Sequence, residues 1–400
     1  MFVPVRGNQK LGLLAAIGIT LLVPVSSVLG EPPAADSTPA SRHWTTGAVR
    51  ELIALIDESR DEGLRPGDYN LGELKRMLAG GETGALDVLA TASALALAHD
   101  YYFGRVSDRS GMQWLIERSP YEAAQLPARL QSAIDDGKLR PFFHALLPSD
   151  PRYAALRAQF AQAKAGAERD RLRVNMERWR WMPRTIEANY LYVNVPSYTL
   201  RVVQDGVQSF SYDVVVGARD TPTPQMVSLT SSLVVNPAWY VPASIARKSG
   251  LRAGRGGFVA RRLADGSIAM MQPPGPRNAL GRIKFNLDND QAIYLHDTNA
   301  KSVFDREERA LSHGCVRVKD IDQLAAELME RGGDDAALEE ALASDQTATL
   351  HLPQTWPVYF VYFTVDTDET GSLVTYRDPY GYDVKVLAAL DGKPIEIASN

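Results

Sequence analysis

The sequence predicts an α+β protein, with a helical first half and a mostly β second half. Three observations carry this expectation. Apolar residues recur at helical spacing before residue 185, short β-branched and aromatic runs follow it, and one obvious helical stretch, Ile321 to Arg331, interrupts the later runs. Runs of helix followed by runs of strand argue against alternating βαβ units and for a mostly antiparallel sandwich or barrel behind a helical region.

At the amino end, Arg6 and Lys10 precede an apolar core from Leu11 to Val23 and the small-residue stretch Val28-Leu29-Gly30. That is the pattern of an export signal over residues 1–30, cleaved rather than kept as an inner-membrane anchor, because the core is shorter than the roughly 20 apolar residues of a comfortable span. Residues 31–41, rich in Pro, Ala and Ser, read as a tether. Roughly 360 residues remain, enough for two or three folding units.

Helical spacing then appears in Val49, Leu52, Ile53 and Ile56, and again in Leu86, Leu89, Leu95 and Leu97. The second set lies in an Ala-rich run that contains Asp87, so a buried core helix is expected there and not a membrane span. Residues 42–150 form the helical region, and 151–184 a connecting helix, charged from Tyr153 to Trp181 and stopped by Met182-Pro183. Strands are expected at Tyr190–Val195, Thr199–Val203, Phe210–Val216, Ser232–Val235, Ile293–Leu295, Val316–Val318 and Val358–Val365. Between them, 247–270 holds the Gly/Arg-rich segment Arg252-Ala253-Gly254-Arg255-Gly256-Gly257 and reads as a short basic insertion over one face. The net charge of −5 and the lack of a basic stripe exclude a general nucleic-acid binder. No CxxC or HExxH spacing supports a metal site, and no cofactor is expected.

The chemistry gathers around the single cysteine, Cys315, in Ser312-His313-Gly314-Cys315-Val316-Arg317-Val318. Exported proteins usually pair their cysteines, so a lone thiol is either a buried hydrophobe or a nucleophile. A nucleophile needs a base. His313 lies two residues away, and His296 follows Ile293-Tyr294-Leu295 at a strand end, 15 residues before Ser312, room for a loop and return. Gly314 would let the amides of residues 313 to 315 converge as an oxyanion hole.

His296, fifteen residues, then Ser312-His313-Gly314-Cys315 resembles the signature of the L,D-transpeptidase catalytic domain of the YkuD type. Arg317 stands where that signature usually has asparagine. This departure, with Glu177-Arg178-Trp179-Arg180-Trp181, Val193-Asn194-Val195-Pro196, Asn236-Pro237-Ala238-Trp239 and Arg277-Asn278-Ala279-Leu280-Gly281, resembles the large periplasmic, YcbB-like branch, whose helical scaffold domain is resembled more weakly by Leu64 to about Leu147. The resemblance implies a YkuD-type catalytic domain over residues 185–400 with a short cap at 247–270, and a periplasmic enzyme acting on peptidoglycan. Cys315 would be acylated by a tetrapeptide stem with loss of D-alanine, and would pass the acyl group to the meso-diaminopimelate-type side-chain amine of a second stem, alongside other cell-wall synthases. His296 would be the general base, oriented by the carbonyl or side chain of Asp297; His313 and Gly314 would shape the oxyanion hole. Ser312, Arg317, Tyr294 and Asn278 would hold the loop or touch substrate. Two departures qualify this: Lys164 to Arg173 leave no room for the branch's peptidoglycan-binding insertion, and the cap is short, which implies an open groove. A hydrolase on the same site and a non-catalytic wall-binding protein are the competing readings.

Overall fold

The computed structural model describes residues 44–248, 250–263, 266–330 and 335–393; the expected export signal and tether lie outside them. The helical spacing becomes α1 (Thr46–Glu58), α2 (Leu71–Gly80), α3 (Gly84–Phe103), α4 (Pro120–Asp135) and α5 (Leu139–His144). Thr45 starts α1 by accepting the Ala48 amide on its hydroxyl, and the stripe Val49, Leu52, Leu55 and Ile56 is buried against the neighbouring helices. The Ala-rich run is α3, whose Ala90, Ala94, Leu97 and Ala98 lie in the same core. No helix among the described residues is long and apolar enough to cross a membrane.

The charged stretch expected as one connecting helix is two, α6 (Pro151–Gln162) and α7 (Ala167–Trp181). The break falls at Gly166, whose φ of +140° is closed to residues with a side chain. α7 is buried from Leu172 onward apart from half-buried Arg173, although its sequence looks like a solvated helix. Its charges are therefore paired inside the protein. Glu177 Oε1 accepts the Val106 amide at 2.8 Å and Trp181 Nε1 at 2.9 Å, while Oε2 accepts Arg180 Nη1 at 2.9 Å. Arg178 reaches Asp383 at 2.6 Å, and Asn175 exchanges hydrogen bonds with Thr364.

The second half contains β1 (Tyr190–Asn194), β2 (Thr199–Gln204), β3 (Val207–Gly217), β4 (Met226–Val235), β5 (Trp239–Tyr240), α8 (Ala243–Lys248), β6 (Val259–Arg262), β7 (Ile268–Gln272), β8 (Ile283–Asn286), β9 (Leu295–His296), β10 (Ala310–Ser312) and β11 (Val316–Val318). Beyond them come α9 (Ile321–Glu330), α10 (Asp335–Ala343), β12 (Ala348–Val361), β13 (Val365–Thr367), β14 (Leu373–Thr375) and α11 (Tyr382–Leu390). Three helices of this half, α8, α10 and α11, are additional to the one expected. The nine-stranded sheet runs β10-β3-β11-β9-β8-β4-β12-β1-β2 and returns on itself, because β3 also pairs with β2. The Val214 amide bonds Tyr198 on one edge of β3 and the Asp213 carbonyl accepts from Lys319 on the other, so β2 and β11 flank β3 and close a ring. The sheet is mixed: β1–β12, β9–β11 and β3–β10 are parallel and the remaining pairs antiparallel.

Alternation along β1 and β12 separates two cores. Leu191, Val193, Trp356, Val358 and Phe360 face inside the ring, where α9 and α11 also pack. Tyr190, Tyr192, Tyr359 and Val361 face outward onto α6 and α7. The helix α7 serves both, with Val174 and Trp181 in the first and Met176 and Trp179 in the second. Both faces being covered explains why these strands read as continuous apolar runs.

Removing the carboxylate at Glu177 strands a buried guanidinium and a buried amide. Glu177→Ala is expected to lower unfolding free energy by about 3–5 kcal/mol in urea titrations; a loss below about 1 kcal/mol would show that the pairing is dispensable.

Candidate active site

Strand register brings the expected catalytic residues into one wall. β9 lies between β8 and β11, with His296 opposite Lys284 on one side and opposite Arg317 on the other. Directly opposed residues project from the same face of a sheet. Cys315 immediately precedes β11, where the Val316 amide bonds the Tyr294 carbonyl at 3.1 Å. Cys315, His296, Tyr294, Ser312, His313 and Arg317 line a cavity of about 620 Å³. Its opposite wall is the cap formed by β5, β6, β7 and α8, through Trp239, Tyr240, Leu251 and Phe258. The insertion is short, yet it still walls the site.

The loop carrying Cys315 is held from below. Ser312 Oγ donates to the Cys315 carbonyl at 2.5 Å and accepts the Gly314 amide at 3.1 Å, so the hydroxyl braces the turn. With the Gly314 amide used in this way, the amides of His313 and Cys315 are the ones that donate to nothing among the described residues. Gly314 has φ +113°, and a Cβ there would lie 3.2 Å from Ile293 Cδ1. Thr223 donates to the Gly314 carbonyl at 2.7 Å and is itself fixed by Tyr380, whose hydroxyl accepts the Thr223 amide at 3.1 Å. Thr221 donates to the Ser312 carbonyl at 3.0 Å. Thr221, Thr223 and Tyr380 were not singled out from the sequence, because their roles arise from loops that meet only in the folded chain.

His296 Nδ1 donates to the Asp297 carbonyl at 2.5 Å, which leaves Nε2 as the basic nitrogen. The Asp297 carbonyl is thus the orienting atom; its carboxylate turns away to the Arg282 amide at 2.9 Å and to the Lys301 ammonium. Close packing against Gly281 fixes that orientation, since a Cβ on Gly281 would fall 2.2 Å from Asp297 Oδ2. Asn278, expected at the substrate, is buried outside the cavity. Its side-chain nitrogen donates to the carbonyls of Pro237, Gln272 and Pro273, and its oxygen accepts the Leu280 amide, so no polar atom remains for a ligand. His313 lines the cavity mouth, exposed. Trp239 stands in the cavity wall.

No hydrogen bond joins the thiol to His296. Cys315 Sγ donates instead to the Ala292 carbonyl at 3.5 Å, and the Tyr294 hydroxyl also lies within hydrogen-bonding reach of the sulfur. Ala292 has φ +54°, an unusual conformation for a residue with a side chain, and it aims that carbonyl at the thiol. Burial pushes the thiol pKa up, against the opposing pull of Tyr294, Lys284 and Arg317. Burial, then Arg317, push His296 down to about 3. Thiol and imidazole are both neutral at rest and do not form a preformed thiolate–imidazolium pair.

Residues 188–342 match the L,D-transpeptidase catalytic domain, YkuD, and residues 40–160 match the Scaffold domain. A curated Haemophilus influenzae protein, named as a provisional L,D-transpeptidase, is 31% identical over 326 residues, which cover 74% of this chain and 66% of that protein. The chain therefore spans just under two thirds of that relative's length. Among solved structures, an L,D-transpeptidase from Mycobacterium smegmatis is 12% identical across 43% of this chain and 58% of that chain, with a TM-score of 0.25. Mycobacterium tuberculosis L,D-transpeptidase 1 is 12% identical across 44% and 61%, with a TM-score of 0.22.

The neutral resting pair has a pH signature. Iodoacetamide should alkylate Cys315 with a single ionisation above the ordinary thiol range, without the low-pH plateau of an ion pair; a plateau reached below pH 6 would contradict the neutral assignment. Because the folded pKa of His296 lies near 3 and its ordinary value is 6.5, the unfolded chain binds more protons between these limits. That contribution to stability is complete above pH 6.5 and declines as pH falls towards 3, which acid unfolding of wild type against His296→Gln should reveal.

Proposed function

The chain belongs to the L,D-transpeptidase family that joins a Scaffold domain to a YkuD catalytic domain, and from that premise we propose a cysteine acyltransferase of peptidoglycan stems. The observation that carries the proposal is the shared cavity of Cys315 and His296, with His296 Nδ1 tied to a backbone carbonyl so that Nε2 is free to act as a base. In the first step His296 Nε2 takes the thiol proton as Sγ attacks the L-centre carbonyl carbon of the third stem residue. The tetrahedral oxyanion faces the free amides of His313 and Cys315. Its collapse breaks the amide bond, and the proton held by His296 passes to the nitrogen of the departing D-alanine, leaving a thioester. In the second step His296 takes a proton from the side-chain amine of another stem as that nitrogen attacks the thioester. The thiolate leaves, recovers the proton, and a 3-3 cross-link results.

For the proton to move, Sγ must leave the Ala292 carbonyl and turn towards His296. Tyr294, beside the sulfur and 5.3 Å from the imidazole between ring centroids, supports the thiolate during this exchange. The proposal also assigns residues 1–30 to export into the periplasm, 31–41 to a tether, 42–150 to the scaffold, 151–184 to the connection and 185–400 to catalysis.

Intact-protein mass spectrometry with disaccharide-tetrapeptide is expected to give a thioester adduct accompanied by free D-alanine, with no adduct in Cys315→Ala. Addition of an amine-bearing stem should then yield cross-linked dimer. Release of tripeptide alone would replace transfer by hydrolysis. Failure of both the tetrapeptide and a carbapenem to acylate Cys315 would remove the enzymatic reading altogether.

A further inference from the structure

Lys284, His296 and Arg317 stand abreast on β8, β9 and β11, so two cations flank the neutral imidazole on one face of the sheet. Neither has an acidic partner among the described residues. The Asp297 carboxylate next to the row is engaged by the Arg282 amide and Lys301, on its other side. Arg317 lines the cavity, and its Nε is buried with no hydrogen-bond acceptor. The Lys284 ammonium rests 4.6 Å from the centre of the Tyr294 ring, whose hydroxyl meets the thiol. Burial lowers the pKa of both cations, and the thiolate form of Cys315 is the anion that draws each of them back.

At rest that thiol is protonated and turned to Ala292, so Arg317 in the cavity wall and Lys284 against the Tyr294 ring are two partly desolvated positive charges with no negative one beside them. Charges removed from water without a counterion are costly unless a ligand supplies it. The planar guanidinium presents parallel N–H donors that match a carboxylate, and the ammonium adds a point charge nearby.

The geometry points to a carboxylate subsite formed by Arg317 and Lys284 beside Cys315, which holds an anionic group of the ligand next to the carbonyl under attack. Its assignment to the donor peptide rests on the transpeptidase reading, since such a donor carries one carboxylate on the departing residue and another at the far end of the diamino acid. The anion preference itself does not rest on that reading. Occupation of the subsite also returns the two cations to neutral surroundings, which eases their bias against a protonated His296 while the base holds its proton.

Small alkylating reagents test the subsite without any peptide. Iodoacetate and iodoacetamide attack the same sulfur and differ by a carboxylate. The rate ratio of iodoacetate to iodoacetamide at Cys315 should exceed that of a free thiol, and Lys284→Met and Arg317→Met should each lower it about tenfold. The iodoacetamide rate reports folding and thiol ionisation in every variant, so the ratio isolates anion binding. An unchanged ratio, or equal slowing of both reagents, would overturn the subsite and leave the cations as partners of the thiolate alone. A second arm uses tetrapeptides amidated either at the terminal alanine or at the far carboxyl of the diamino acid. The amidation that removes the rate dependence on Arg317 and Lys284 identifies the bound group, and dependence retained by both would overturn the donor assignment. Absence of acylation by the unmodified tetrapeptide would instead count against the transpeptidase reading, with the reagent ratio still deciding the subsite.

Discussion

A carboxylate sealed from water at Glu177 is the constraint on which the rest of the fold depends. Its two oxygens take the Val106 amide of the helical half, the Trp181 indole and the Arg180 guanidinium, and the chain approaches it so closely that a Cβ on Gly104 would lie 2.6 Å from Oε1. Those bonds let α7, polar in sequence, run through the interior. Once placed there, it presents Trp181 to the core inside the sheet and Trp179 to the core outside it. Described residues from both halves consequently fall in one compact unit spanning 42–400.

The site uses the opposite strategy, with charges left unneutralised. His296 owes its position to strand pairing, its tautomer to the Asp297 carbonyl and its lowered basicity to burial beside Arg317 and Lys284. Behind the cysteine loop, a hydrogen-bonded path from Tyr380 through Thr223 to the Gly314 carbonyl connects the turn to the end of the chain. Rigid backbone supports surround the Cys315 thiol, which rests on the Ala292 carbonyl as one side chain on a fixed frame.

The residues that share the cavity were legible as a candidate site because their types and spacing are demanding: a lone thiol, a Ser-His-Gly-Cys turn, and a histidine closing a strand. The outline of helices followed by strands was legible for a related reason, since spacing such as Val49, Leu52 and Ile56 reports one-sided burial directly. Burial on several sides hides this signal. α7 looked solvated because its partners Val106, Asp383 and Thr364 are remote in sequence. Asn278 was placed at the substrate by motif, and only the three carbonyls around its amide reveal a brace. The unpaired state of Lys284 and Arg317 is likewise a property of what fails to surround them, which no local pattern encodes.

The place of β12 has a consequence for how the molecule is made. It lies between β4 and β1, antiparallel to the first and parallel to the second, although it follows both by more than a hundred residues. A chain synthesised from its amino end holds β1–β2 and β4 with open, apolar edges until residues 348–361 arrive to join them. Pairings of such long sequence separation form slowly, and exposed edges invite association with other chains. Folding of the sheet is therefore completed from its far end, and a chain truncated before β12 would be left with an unfinished sheet that already carries Cys315.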